Sequence, residues 1–73
     1  MGKLRVLSDR EVCDILSRQG FVRLRQHGSH IIMQRRDGTD TTTVPAPNHK
    51  EVRRGTLQSI VRQSGLAKAL FEA

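Results

Sequence analysis

Three histidines, His27, His30 and His49, are the side chains of this 73-residue sequence best suited to move protons. An imidazole ordinarily titrates at about pH 6.5, so it can take or give a proton near neutrality. His30 has the strongest context. It follows Gly28 and Ser29 at the entrance to an apolar run, where a glycine lets backbone come close to a substrate and a strand holds a side chain rigidly. Arg23, Arg25, Arg35 and Arg36 lie on neighbouring segments, so a phosphodiester beside His30 would find cations to steady developing negative charge. RNA cleavage without a metal uses these parts: a base takes the 2′-hydroxyl proton and an acid protonates the departing 5′-oxygen. One histidine fills one role at a time, which leaves the other to water, Ser29 or another histidine. From spacing alone, a histidine after a Gly-Ser turn is more often a surface or turn residue than a catalyst, and His27 and His49 have weaker contexts still.

Other chemistries find less support. No His-x-x-His or His/Cys/Asp cluster has metal-ligand spacing, so no metal is expected. Ser29 and His30 are neighbours on an extended segment and point to opposite faces, which rules them out as a nucleophile and its base. Gly20, Gly28, Gly38, Gly55 and Gly65 form neither a G-x-G-x-x-G nor a P-loop pattern, and no cofactor is expected. Thirteen Lys and Arg against seven Asp and Glu give a formal charge of +6, which attracts phosphate polymers or an acidic partner. Asp9, Glu11 and Asp14 cluster near the start, whereas the stretch from Arg18 to Arg36 holds no acid. With Phe21 and Phe71 as the only aromatics, base stacking on an aromatic platform is not expected. Cys13 is the only cysteine. It cannot form an intrachain disulfide, suits a reducing cytosol, and reads as a small packed hydrophobe rather than a reactive thiol. No apolar run approaches the roughly 18 residues of a membrane span, nor does the start resemble a signal peptide, so a cytoplasmic protein without membrane contact is expected.

The elements that must position these side chains can be read from pattern. Ser8-Asp9-Arg10-Glu11 has capping-box spacing, Val12, Ile15, Leu16 and Gln19 follow at helical spacing, and Gly20 supplies a terminator, so the first helix spans about residues 9–19. From Phe21 to Gln26 the sequence alternates, which predicts a half-buried strand with Val22 and Leu24 on one face and Arg23 and Arg25 on a basic outer face. His27-Gly28-Ser29 reads as a turn, and His30 to Arg35 as a second strand. Two phases compete there: Ile31 with Met33 inward, or Ile32 with His30 inward. The first is favoured because it buries two apolar residues and leaves His30 free. Asp37-Gly38 marks a second hairpin turn, Thr41 to Val44 a third strand, and Pro45 and Pro47 its end. Asn48 to Glu51 offers another helix start, cut short by Gly55. From Thr56 the helical pattern returns with Leu57, Ile60 and Val61 and stops at Gly65, before Leu66, Leu70 and Phe71 form a short closing helix. The expected architecture is a single α+β domain over residues 1–73, helix, three antiparallel strands, helix, with the helices on one face of the sheet.

Several of these segments, taken in order, resemble the HicA family of toxin ribonucleases: Gly20-Phe21 after the first helix, Arg25-Gln26-His27-Gly28-Ser29-His30 in the hairpin, Val44-Pro45, Gly55-Thr56-Leu57-Gln58-Ser59-Ile60, and Gln63-Ser64-Gly65-Leu66. The resemblance covers about residues 7–66. It implies a double-stranded RNA-binding-domain-like fold and a metal-independent endoribonuclease that cleaves mRNA, with the Gly-Ser-His histidine, His30, as the essential residue. A HicB-type antitoxin that covers this histidine is the implied partner, and DNA would be reached only through that antitoxin, since no helix-turn-helix reader is present. Many relatives carry a second histidine directly after Gly-Ser-His, where this chain has Ile31, so proton sharing between adjacent histidines is not available. His49 falls where some relatives also have a histidine, which makes it an auxiliary candidate beside Ser29. Two rival readings use the same features: a catalytically silent RNA-binding module, and an interaction protein whose charge only docks an acidic antitoxin.

Overall fold

A computed structural model describes residues 7–48 and 50–72. The chain runs α1 (Asp9–Arg18), β1 (Val22–His27), β2 (His30–Asp37), β3 (Asp40–Pro47), α2 (Arg54–Ser64) and a closing 3₁₀ turn (Lys68–Phe71). The strands form one antiparallel sheet in the order β1-β2-β3. This is the expected α+β architecture, consistent with a double-stranded RNA-binding-domain-like fold.

The capping box starts α1 as the spacing predicts. The Ser8 hydroxyl accepts from the Glu11 N–H at 3.1 Å, and the Glu11 carboxylate accepts from the Ser8 N–H at 3.1 Å. These bonds satisfy backbone donors that the first turn of a helix leaves without partners. Ser8→Ala should therefore cost about 1 kcal/mol, seen as a fall in melting temperature of roughly 4–8 °C for a domain of this size.

Val12 and Leu16 of α1 and Leu57 and Ile60 of α2 meet Ile31, Met33, Val44 and Ala46 of the sheet in one buried cluster. Phe21 closes it from the start of β1 and Phe71 from the 3₁₀ turn, while Leu70 stays exposed. Leu7 and Val52 join it through an isolated bridge in which the Val52 N–H donates to the Leu7 carbonyl at 2.7 Å. Of the two phases open to β2, the observed one turns Ile31 and Met33 inward and leaves His30 exposed.

Three expectations need correction. First, β1 is not half-buried: Val22 is 61% exposed and Leu24 48%. A β-bulge lies between Arg23 and Arg25, where two steps along β1 oppose one step along β2, from Met33 to Ile32. An extra residue reverses the alternation beyond it. The buried anchor is instead Phe21, one residue before the strand. Second, Pro45 and Pro47 do not end β3, which continues to Pro47 opposite His30. β3 is an edge strand, and residues two apart share the same orientation, so both prolines can turn their donor-less nitrogens away from β2. Third, α2 begins at Arg54 and takes Gly55 into its first turn, while residues 50–53 are bends and a bridge rather than a helix.

Candidate functional site

The two hairpin turns fix which side chains share a face. Gly28 (φ +60°) and Gly38 (φ +63°) each occupy the first central position of a two-residue turn, the position where a type II′ turn requires positive φ and glycine supplies it without strain. The Gly28-Ser29 turn sets His27, the last residue of β1, directly opposite His30, the first of β2. The turn is also tied to the end of β3, because the Asn48 N–H donates to the Ser29 carbonyl at 2.6 Å. His30 thus sits on a strand end held from both sides.

Directly opposite residues in an antiparallel pair point to the same face. Ile31 and Met33 face the helices, so His30, Ile32, Gln34 and Arg36 face the open side. His27 pairs with His30 and Arg25 with Ile32, which brings both to that open side. Arg25, His27, His30, Ile32 and Pro45 line a shallow hollow of about 430 Å³ there. His30 also borders a second groove, about 750 Å³, between β3 and α2, whose polar lining includes Glu51, Arg53, Thr56, Ser59 and Gln63. It is the one histidine among the described residues that touches both spaces.

The four arginines anticipated around His30 divide between the two faces. Arg25 stands in the hollow. Arg36 is exposed on the same open face, but six residues along β2 from His30, about 20 Å at the strand rise. Arg23 pairs with Met33 and so lies on the helix-bearing side, where its guanidinium donates to the Gln26 side-chain oxygen at 2.9 Å. Arg35 is part-buried on that side too. Its guanidinium lies 4.9 Å from the Phe21 ring centroid and donates through Nη1 to the Gln19 carbonyl at 3.2 Å, with Nε buried and without a hydrogen-bond partner. Arg35 is therefore spent on joining the sheet to the end of α1. Arg35→Ala should lower the melting temperature, whereas Arg25→Ala, at an exposed position, should leave it unchanged, and thermal melts of the two variants check this.

His27 is the residue that the sequence undervalued. Read as part of a three-residue turn, it has no defined neighbour; read as the last strand residue before a two-residue Gly-Ser turn, it must face His30. Ser29 is exposed in that turn and contributes its carbonyl as the tether to Asn48. His49 lies outside the described residues. Cys13 packs half-buried against the core, and its thiol is pushed up from the ordinary cysteine value, first by burial and then by Asp9. That shift favours the neutral thiol, in keeping with a packing role.

Among the described residues, no three His, Cys, Asp or Glu side chains converge as a metal site would need. No helix among them is long and apolar enough to cross a membrane. A sequence profile described as the HicA toxin of bacterial toxin-antitoxin systems matches residues 10–66. No curated protein matches the sequence.

Proposed function

Because the chain belongs to the HicA toxin family of bacterial toxin-antitoxin systems, we propose that it is an endoribonuclease that cleaves mRNA without a metal, with His30 moving a proton in the reaction. The observation that carries this reading is the setting of His30: an exposed imidazole on a rigid strand end, at the junction of two surface hollows, with Arg25 beside it. RNA would run across the open face, its phosphate near Arg25 and its 2′-hydroxyl within reach of an imidazole. Arg36 lies further along the same face, where it suits a flanking phosphate.

An antitoxin of the HicB type is the natural partner for such a surface. It would neutralise the toxin by covering His30, and the formal charge of +6 suits an acidic surface on that partner. Contact with DNA would come only through the antitoxin. On this reading the whole chain, residues 1–73, is one toxin domain that works in the bacterial cytoplasm, where its mRNA substrate is found.

The test is incubation of the protein with single-stranded RNA in EDTA, beside His30→Ala. Cleavage by the wild type that disappears in the variant, with RNA affinity and melting unchanged, supports the enzyme. An equally active variant overturns it, and RNA binding without cleavage by either protein favours a silent binding module. Affinity should also fall steeply between low and moderate salt, because phosphate contacts release counterions.

A further inference from the structure

We infer that His27 is the second proton-transfer group, working with His30 across the hairpin turn; the inference rests on the ribonuclease reading above and completes it.

Cleavage through the 2′-hydroxyl needs a base and an acid on opposite sides of the phosphorus. His30 can be one of them. Its neighbour along the chain cannot be the other, because position 31 points into the core: Ile31 is 6% exposed and packs against the helices. Any side chain there would lie on the wrong side of the sheet from His30. Glu51 lines the other groove that His30 borders and not this hollow, so a partner within the hollow must come from across the ladder. On β3 the residue opposite His30 is Pro47, and Pro45 lines the hollow; neither carries a titratable group. On β1 the residue opposite His30 is His27.

The geometry suits a pair that flanks one phosphate. Directly opposite residues have Cβ atoms about 4.5–5.5 Å apart, and rotation about χ1 and χ2 lets the two rings splay around a group seated between them. Both histidines are exposed and line the same hollow, with Arg25 beside them to balance the phosphate charge. The two-residue turn and its tether from Asn48 to Ser29 hold the backbone of the pair in register. Ser29 itself lies between the strands, in the turn, and a serine hydroxyl is a far weaker acid than an imidazolium.

The step balances. A neutral imidazole of the pair takes the 2′-hydroxyl proton as the 2′-oxygen bonds to phosphorus. The bond from phosphorus to the 5′-oxygen breaks, and the imidazolium of the other histidine gives its proton to that oxygen. The products carry a 2′,3′-cyclic phosphate and a 5′-hydroxyl. The two rings finish with their protonation states exchanged, and proton exchange with water restores them.

The test compares wild type, His27→Ala and His30→Ala on ordinary RNA and on RNA whose scissile 5′-oxygen is replaced by sulfur. A thiolate leaves without a proton, so only the variant that lacks the acid should recover on the sulfur substrate. His27→Ala should lose about 10²–10⁴-fold on ordinary RNA, with RNA affinity and melting temperature unchanged, and one of the two variants, but not both, should regain a rate near wild type on the sulfur substrate. Wild-type cleavage of ordinary RNA by His27→Ala, or an equal loss on both substrates for both variants, overturns the pairing while the role of His30 stands. If His30→Ala also cleaves like wild type, the ribonuclease reading of the site itself falls.

Discussion

Replacing His30 with alanine should lower RNA cleavage by about 10²–10⁴-fold, the usual contribution of one positioned general acid or base, and leave thermal unfolding where it was. The two halves of this expectation come from different features. On the proposed reading the loss follows from removing the group that moves the proton; Arg25 and the rest of the open face would still bind phosphate, so the variant should lose turnover and keep affinity. The unchanged unfolding follows from exposure: His30 lies outside the buried cluster, and surface substitutions away from caps, special backbone and buried groups stay within about 0.5 kcal/mol. The β-strand that carries it is anchored by Ile31 and Met33, which the substitution does not touch. Single-turnover cleavage, RNA affinity and a melting curve on the same two proteins check both halves at once.

Phe21→Ala should act in the opposite way, costing about 3–5 kcal/mol of stability with no direct part in chemistry. Phe21 is 2% exposed, it links α1 to β1 through its N–H to the Leu16 carbonyl at 3.0 Å, and its ring carries the Arg35 guanidinium. Truncation would leave a cavity and strip a part-buried cation of its aromatic partner at one stroke. Native domains are stable by roughly 0.05–0.15 kcal/mol per residue, so this loss takes a large share of the total for so short a chain. Urea unfolding should show the midpoint collapse towards zero denaturant, and Phe21→Leu, which refills much of the volume, should recover a substantial part.

Much of this architecture could be read from residues. The Ser8 and Glu11 spacing gives a capped helix because the two side chains satisfy each other's backbone groups within one turn. Ile31 and Met33 settle the phase of β2 because burying two apolar side chains outweighs burying one beside an imidazole. What sequence left hidden was the consequence of one inserted residue. Strict alternation places Arg23 and Arg25 together, but the bulge between them sends Arg25 to the open face with His27 and His30 and leaves Arg23 with the helices. A bulge has no side-chain periodicity of its own, so pattern alone does not locate it. The prolines misled for a similar reason: their effect on a strand depends on whether it is an edge, which is a property of the sheet and not of the strand. Arg35 looked available because charge in sequence says nothing about burial, and its place over Phe21 follows only once the end of α1 is docked on the sheet.

The same register sets His30 and His27 face to face. A two-residue turn is the shortest hairpin connection, and it leaves no freedom in which residues face each other. The pair in the hollow is thus set by Gly28 and Ser29 as firmly as by the histidines themselves.

The most direct measurement is the chemistry of the RNA ends after incubation with purified protein in EDTA. Cleavage driven by His30 through the 2′-hydroxyl predicts 2′,3′-cyclic phosphate and 5′-hydroxyl ends from the wild type and intact RNA from His30→Ala. Ends bearing a 3′-hydroxyl and a 5′-phosphate, or undiminished cleavage by His30→Ala, would contradict the account.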